Sequence, residues 1–323
     1  MGDLAMKKLF SAVFLVGILA ATVAAQNPDS PKSPAGAKPT QGAGDTTRIR
    51  VRVDLVNVLF TVTDRKNRLV VNLTKDDFHV FEDNKPQSIR FFSRESDLPL
   101  RIAILIDTSN SIRERLRFEQ EAAIDFLTTT LRPRKDQAFV VAFDVEPQLL
   151  QDYTDDTEKL SQAIRSLQAG GVTALYDALY FACKQKMLFF PPPEPYLRRV
   201  MIVISDGQDN SSEHTRDEAL AMAQRGEVTI FTISTNRSGL QGKGDRVLKY
   251  LAEETGGRAF FPFSASDLAA NFQEIARELR SQYSLAYVST DPARNGTYRA
   301  ITIQPRDKGT RVRAKSGYFA PSQ

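Results

Sequence analysis

A chain of 323 residues, 41% hydrophobic and 25% charged, is long enough to bury more than one compact core. Its 43 Lys and Arg against 39 Asp and Glu leave a formal charge of +4, spread along the sequence. With no basic block interleaved with aromatics, a nucleic-acid partner is excluded as the organising feature. A single cysteine excludes an internal disulfide, so stability has to come from burial.

Lys7 and Lys8 precede the apolar run Leu9–Ala21, and Val23-Ala24-Ala25 supplies small residues before Gln26. This pattern predicts a signal peptide over 1–25. No cysteine stands at the cleavage point for a lipid anchor. The apolar run is short for a membrane span, and no later segment is longer. The expectation is a secreted or periplasmic protein with no transmembrane segment after cleavage. Residues 26–48, rich in Pro, Gly, Ala and Ser, read as a flexible linker.

Residues 49–98 read as a β-rich module. Val51, Val53, Leu55, Val58, Phe60 and Val62 alternate over Ile49–Thr63, as a half-buried strand requires. Short strands follow at Leu69–Val71, Phe78–Phe81 and Ser88–Phe92, with turns at Asp64–Asn67 and Glu82–Lys85. Phe60, Phe78, Phe81, Phe91 and Phe92 are expected in its core, and His79 at its surface.

From Leu100 to about 281, strands alternate with helices. Apolar runs predict strands at Arg101–Ile106, Ala138–Phe143, Val200–Ser205, Val228–Ile233 and Ala259–Phe261. Helical spacing marks Ser111–Leu131, Thr157–Leu167, Leu175–Met187, Thr215–Arg225, Asp245–Thr255 and Ser266–Arg280, the last capped by Ser264 or Ser266. Gly256-Gly257 stops the fifth helix. Strands apolar on both faces imply an α/β fold, with a doubly wound, mostly parallel sheet covered on both sides. Cys183 falls among Ala178, Leu179 and Ala182 and reads as a buried thiol. Residues 282–323 return to strand-like alternation, at Tyr283–Val288, Tyr298–Ile303 and Thr310–Arg313. They are too few to fold alone and are expected to pair with 49–98 in one β-sandwich-like module.

The parallel sheet places its ligands at the carboxyl ends of its strands. There the sequence puts Asp107-Thr108-Ser109-Asn110-Ser111, Gly170-Gly171-Val172-Thr173 and Ser205-Asp206-Gly207. Asp107, Ser109, Ser111, Thr173 and Asp206 offer carboxylates and hydroxyls with no imidazole or thiolate among them, the donor set of a hard divalent cation. Taken singly, Asp107 is equally a helix cap, Thr173 a cap and Asp206-Gly207 a turn. Asp177, Asp209, Asn210 and His214 read as surface or turn residues. The proline run Pro191-Pro192-Pro193 reads as an exposed loop. A phosphoryl-transfer or hydrolase reading built on Asp107 and Ser109 lacks a second acid at i+2. It also lacks a phosphate loop, a nucleophile elbow and a convincing histidine base.

Asp107-x-Ser109-x-Ser111, Gly170 through Asp177 and Ile204-Ser205-Asp206-Gly207 resemble the three metal loops of a von Willebrand factor type A domain. Leu251-Ala252-Glu253-Glu254-Thr255-Gly256-Gly257 is similar to a late helix of bacterial members. The whole chain resembles secreted bacterial proteins in which such a domain is flanked by β segments, the last ending in Gly-Tyr-Phe. The resemblance covers 99–281 most specifically and implies a Rossmann-like domain. It implies a metal-ion-dependent adhesion site in which Ser109 and Ser111 bind Mg²⁺ (or Mn²⁺ or Ca²⁺) through their hydroxyls. Asp107 would act through water and hydrogen bonds, and Thr173 and Asp206 would alternate between direct and water-mediated contact. It further implies a non-enzymatic module engaging an acidic side chain of a protein partner, or a permanent part of an envelope assembly. The last helix would respond to the metal site.

Overall fold

The computed structural model describes residues 55–95, 97–110, 113–188, 197–236 and 240–322. The expected leader 1–25 and linker 26–48, together with Ser111 and Pro191-Pro192-Pro193, lie outside the described residues. In chain order the first strands are β1 (Leu55–Asp64), β2 (Phe78–Glu82), β3 (Lys85–Gln87) and β4 (Ile89–Glu95). The α/β part follows as β5 (Leu100–Asp107), α1 (Leu116–Thr130), β6 (Gln137–Phe143), β7 (Pro147–Thr154), α2 (Thr157–Arg165) and α3 (Leu175–Phe181). It continues with β8 (Arg198–Ser205), α4 (Arg216–Arg225), β9 (Val228–Ser234), α5 (Lys243–Glu254), β10 (Ala259–Phe260) and α6 (Ala265–Leu279). The chain closes with β11 (Gln282–Val288), β12 (Tyr298–Pro305), β13 (Thr310–Ala314) and β14 (Gly317–Phe319).

All eight residues of β5 are buried, which is why its centre, Ile102–Ile106, reads as an unbroken apolar run and lies inside its sheet. That sheet runs β10-β9-β8-β5-β6-β7, parallel except for the antiparallel edge pair β6–β7. Alternate residues feed two cores. Ile102, Ile104 and Ile106 pack with Phe126 of α1 and Phe272 of α6. Ala103 and Leu105 pack with Leu179 of α3 and Leu248 of α5. The expected α/β class is thus the observed one.

The edge strand β7 was not legible in the sequence. It starts at Pro147 and none of its residues is fully buried, so it shows neither an apolar run nor clean alternation. The helix expected from Ser111 begins instead at Leu116. Arg113 is held back by bonds to Asn110 Oδ1 (3.1 Å) and Ala169 O (3.4 Å), which keep this stretch with the neighbouring loop. The helix expected over Leu175–Met187 widens to a π-turn at Ala182–Met187, with Cys183 fully buried in it.

The terminal stretches interleave in two antiparallel sheets, β13-β1-β11-β4 and β14-β12-β2-β3. Phe60 and Phe78 meet edge to face at 5.1 Å, and Phe60 stacks on Tyr283 at 5.5 Å. Phe92 joins this cluster, but Phe91 is 63% exposed and Phe81 only half-buried, correcting their placement in the core. The strand period explains the error, because adjacent Phe91 and Phe92 point to opposite faces. His79 is exposed on β2.

One end of the module closes on buried Glu82, which accepts bonds from Tyr287 (2.8 Å), Tyr318 (2.9 Å), Ser289 and buried Arg299. The terminal Gly-Tyr-Phe belongs to this closure. A Cβ at Gly317 would lie 2.3 Å from Arg299 O, so only glycine fits there.

Helix α6 connects the two parts. Buried Glu278 accepts from Thr61 Oγ1 of β1 (2.9 Å) and from Arg313 of β13. Arg280 bonds Asp136 (2.6 Å), and Arg198 donates to Leu279 O. Everything described belongs to the single unit Arg52–Gln323. Among the described residues no helix is long and apolar enough to cross a membrane.

Candidate metal centre

Asp107 ends β5, fully buried, because the strand carries it directly out of the sheet's apolar interior. Its Oδ1 accepts from the Ser109 amide at 2.9 Å and its Oδ2 from the Ser205 hydroxyl at 2.7 Å. Burial pushes the Asp107 carboxyl above the usual range, and the neighbouring charge of Asp206 adds to this. The hydrogen bonds from Ser205 and Ser109 oppose it. Ser109 is buried at the head of the loop.

The second loop folds over the first. Gly170 N donates to Thr108 O (2.6 Å), and Asn110 donates to Gly171 O through both its backbone (3.4 Å) and its side chain (3.3 Å). Ala174 N bonds Asp144 O (2.7 Å) at the end of β6. Gly171 has φ +79°, and a Cβ there would lie 2.9 Å from the Asp144 carboxylate, so the turn requires glycine. Thr173 follows, 4% exposed.

The third loop leaves β8 at Ser205. Asp206 is half-buried, its Oδ1 taking the Gln208 amide at 2.9 Å. Gly207 (φ +76°) presses on the backbone of Gly244 at the start of α5. A Cβ on Gly244 would come within 2.1 Å of Asp206 O. Asn210 Oδ1 accepts the Thr173 amide (2.9 Å), and Asn210 N donates back to Thr173 O (3.0 Å).

These bonds close a ring. Asn110 ties the first loop to the second, Thr173 and Asn210 tie the second to the third, and Ser205 ties the third to Asp107. Asp107, Ser109, Thr173 and Asp206 therefore stand on three mutually bonded loops at one sheet edge. Ser111 lies outside the described residues.

Residues read as plain surface do more than that. Asp209 Oδ1 accepts the Tyr176 amide (3.2 Å) and the Ser212 hydroxyl (2.6 Å), and Ser212 Oγ accepts the Asp177 amide (3.1 Å). Asp177 in turn receives the amides of Glu213 and His214 (both 2.9 Å) and the His214 ring (2.6 Å). His214 also stacks on Tyr180 at 3.8 Å. Burial pushes the Asp177 carboxyl up, but these donors outweigh it and hold the group below its ordinary range. Sequence spacing gave no sign of this, because every bond that joins the 209–214 stretch to the 176–177 stretch spans more than 30 residues.

Among the described residues no three His, Cys, Asp or Glu side chains cluster to hold a metal. What the edge offers is hydroxyls with carboxylates beside them. For nucleophilic chemistry the histidines are poorly placed. His79 is exposed on β2, and the contacts of His214 run to Asp177 and Tyr180, not to the hydroxyls of Ser109 or Thr173.

The model of the von Willebrand factor type A domain family matches residues 102–278, more than half of the chain. The human von Willebrand factor A domain-containing protein 3B is 28% identical over 172 residues, 51% of this chain. The chain spans only 12% of that relative's length. A von Willebrand factor type A structure from Catenulispora acidiphila is similar over 84% of this chain and 74% of its own, with 13% identity and a TM-score of 0.49. The vWF domain of the type V pili tip protein Mfa5 from Porphyromonas gingivalis is similar over 56% and 94%, with 18% identity and a TM-score of 0.46.

Proposed function

Because the chain belongs to the von Willebrand factor type A domain family, we propose that it is an exported protein-binding module dependent on a divalent cation. The observation that carries this reading is the closed ring of hydrogen bonds among the loops bearing Asp107, Ser109, Thr173 and Asp206. Ser111, two positions beyond Ser109, completes the set. Hydroxyl and carboxylate oxygens fit Mg²⁺, with Mn²⁺ or Ca²⁺ as substitutes.

In this reading Ser109, Ser111 and Thr173 supply neutral hydroxyls. Asp107, both of whose oxygens already accept hydrogen bonds, orients Ser109 through its amide and holds Ser205. Asp206 is half-buried, with its carboxylate bonded to Gln208. A bound cation would supply a coordination position for a carboxylate of the partner.

The rim suits a protein. Val145 (57% exposed) follows Asp144, whose carbonyl accepts the Ala174 amide, Val172 (45%) lies in the second loop next to Thr173, and Leu240 (79%) precedes α5. Apolar groups around a charged centre exclude water and add contact area. The leader expected over 1–25 would deliver the protein to the periplasm or beyond.

The test is capture from envelope extract of the source organism by wild type, Asp107→Ala and Thr173→Ala, with and without chelator. The reading expects one protein retained by wild type with Mg²⁺ and lost in the other arms. Equal retention in all arms would overturn it.

A further inference from the structure

We infer that Asn210 is the positioning residue of Thr173, and that the Asp206–His214 loop latches Thr173 and Asp206 into one rigid half of the metal site. The inference rests on the divalent-cation reading and adds to it residues outside the five donors.

Asn210 grips Thr173 at both backbone groups, accepting its amide and donating to its carbonyl. With N–H and C=O both engaged, only the hydroxyl of Thr173 is left to turn toward the loops. Asn210 also lies four residues from Asp206, so the two donors are joined through a short, bonded segment.

The segment is held independently from α3. The residue preceding that helix, Ala174, has no side-chain acceptor to offer its first amides. Asp209 and Ser212 serve those of Tyr176 and Asp177 instead. Asp177 returns the favour to Glu213 and His214, and the Tyr180 ring backs His214. Bonds thus run in both directions between the third loop and the stretch 173–180. A displacement of Thr173 relative to Asp206 has to break several of them together.

Residues that orient metal ligands typically cost about 10–100-fold in metal affinity when removed. The experiment is a Mn²⁺ titration of the full chain followed by electron paramagnetic resonance, with circular dichroism confirming the fold of each variant. Asn210→Ala is expected to weaken Mn²⁺ binding by about 10-fold or more. Asn210→Asp, which keeps the oxygen acceptor, should stay within about 3-fold of wild type, well inside that range. Wild-type affinity in Asn210→Ala, with binding abolished in Asp107→Ala, would overturn the latch and leave the cation reading standing. Equal loss in both Asn210 variants would also overturn it. Undiminished Mn²⁺ binding in Asp107→Ala would instead overturn the cation reading itself.

Discussion

Replacing Asp136 by Asn should remove a stabilising hub whose size and pH dependence follow from its contacts. Asp136 is fully buried and accepts from the Leu100 amide (2.8 Å), from Arg132 through its amide (3.0 Å) and guanidinium (2.9 Å), and from Arg280 (2.6 Å). It therefore fixes the start of β5, the turn before β6 and the end of α6 together. Burial alone would raise its pKa, but these donors outweigh burial and hold it at about 2, against an ordinary 3.8. At about 1.4 kcal/mol per pH unit, a depression of nearly two units contributes about 2 kcal/mol. Because the folded value is depressed, that contribution is present above pH 3.8 and lost as pH falls through about 2. Urea unfolding of wild type and Asp136→Asn at pH 7, 4 and 2.5 is the assay. The wild type should exceed the variant by about 2 kcal/mol at pH 7, with the gap shrinking from pH 4 to 2.5. A gap independent of pH would refute the reasoning.

Gly244→Ala should displace Asp206, since the new Cβ would sit 2.1 Å from Asp206 O. We expect about 1–3 kcal/mol of destabilisation by urea unfolding together with weaker Mn²⁺ binding. Gly170→Ala, with nothing within 4 Å of the added carbon, is the matched control and should be nearly neutral. Glu82→Gln leaves Arg299, 4% exposed at its side chain, without its buried anion. It should lower stability by about 3 kcal/mol in guanidinium unfolding, and a loss under about 1 kcal/mol would contradict the buried pair. Burial pushes the Cys183 thiol up to about 12. In native protein at pH 8 it should resist a thiol-specific disulfide reagent and react only as fast as the chain unfolds. Rapid native labelling would count against that burial.

The strands of the central sheet were readable because burial on both faces leaves a continuous apolar run, as in Ile102–Ile106 and Val200–Ile204. The interleaved sheets were readable from a different signal, the period-two alternation of Val58, Phe60 and Val62, although the buried residue that precedes them is Val56 and not Leu55, which is exposed. Helix starts were legible where a cap stands next to the stripe, as with Ser264 and Thr215. Strand β7 was lost because an edge position does not demand buried residues. Strand β3 was missed because it is only three residues long, and Lys85 at its start was read as the end of a turn.

At the candidate site, Asp107, Ser109, Thr173 and Asp206 stood out in the sequence because carboxylates and hydroxyls at strand ends are chemically selective, and the structure sets them on three bonded loops. The latch was not. Asp209, Asn210 and Ser212 act on backbone amides that every residue possesses, so nothing in the sequence marks their targets. Asp177 likewise reads as an ordinary helical carboxylate until the His214 loop is seen to fold over it. Only the fold reveals which loop each of these polar side chains serves.

The most direct measurement is anomalous diffraction from crystals of the full chain soaked in Mn²⁺. The account predicts one peak per chain, within about 2.5 Å of Ser109 Oγ, the outer reach of an oxygen ligand to a hard divalent cation, and no such peak in Asp107→Ala. Absence of a peak among Ser109, Thr173 and Asp206, or one unchanged in Asp107→Ala, would contradict it.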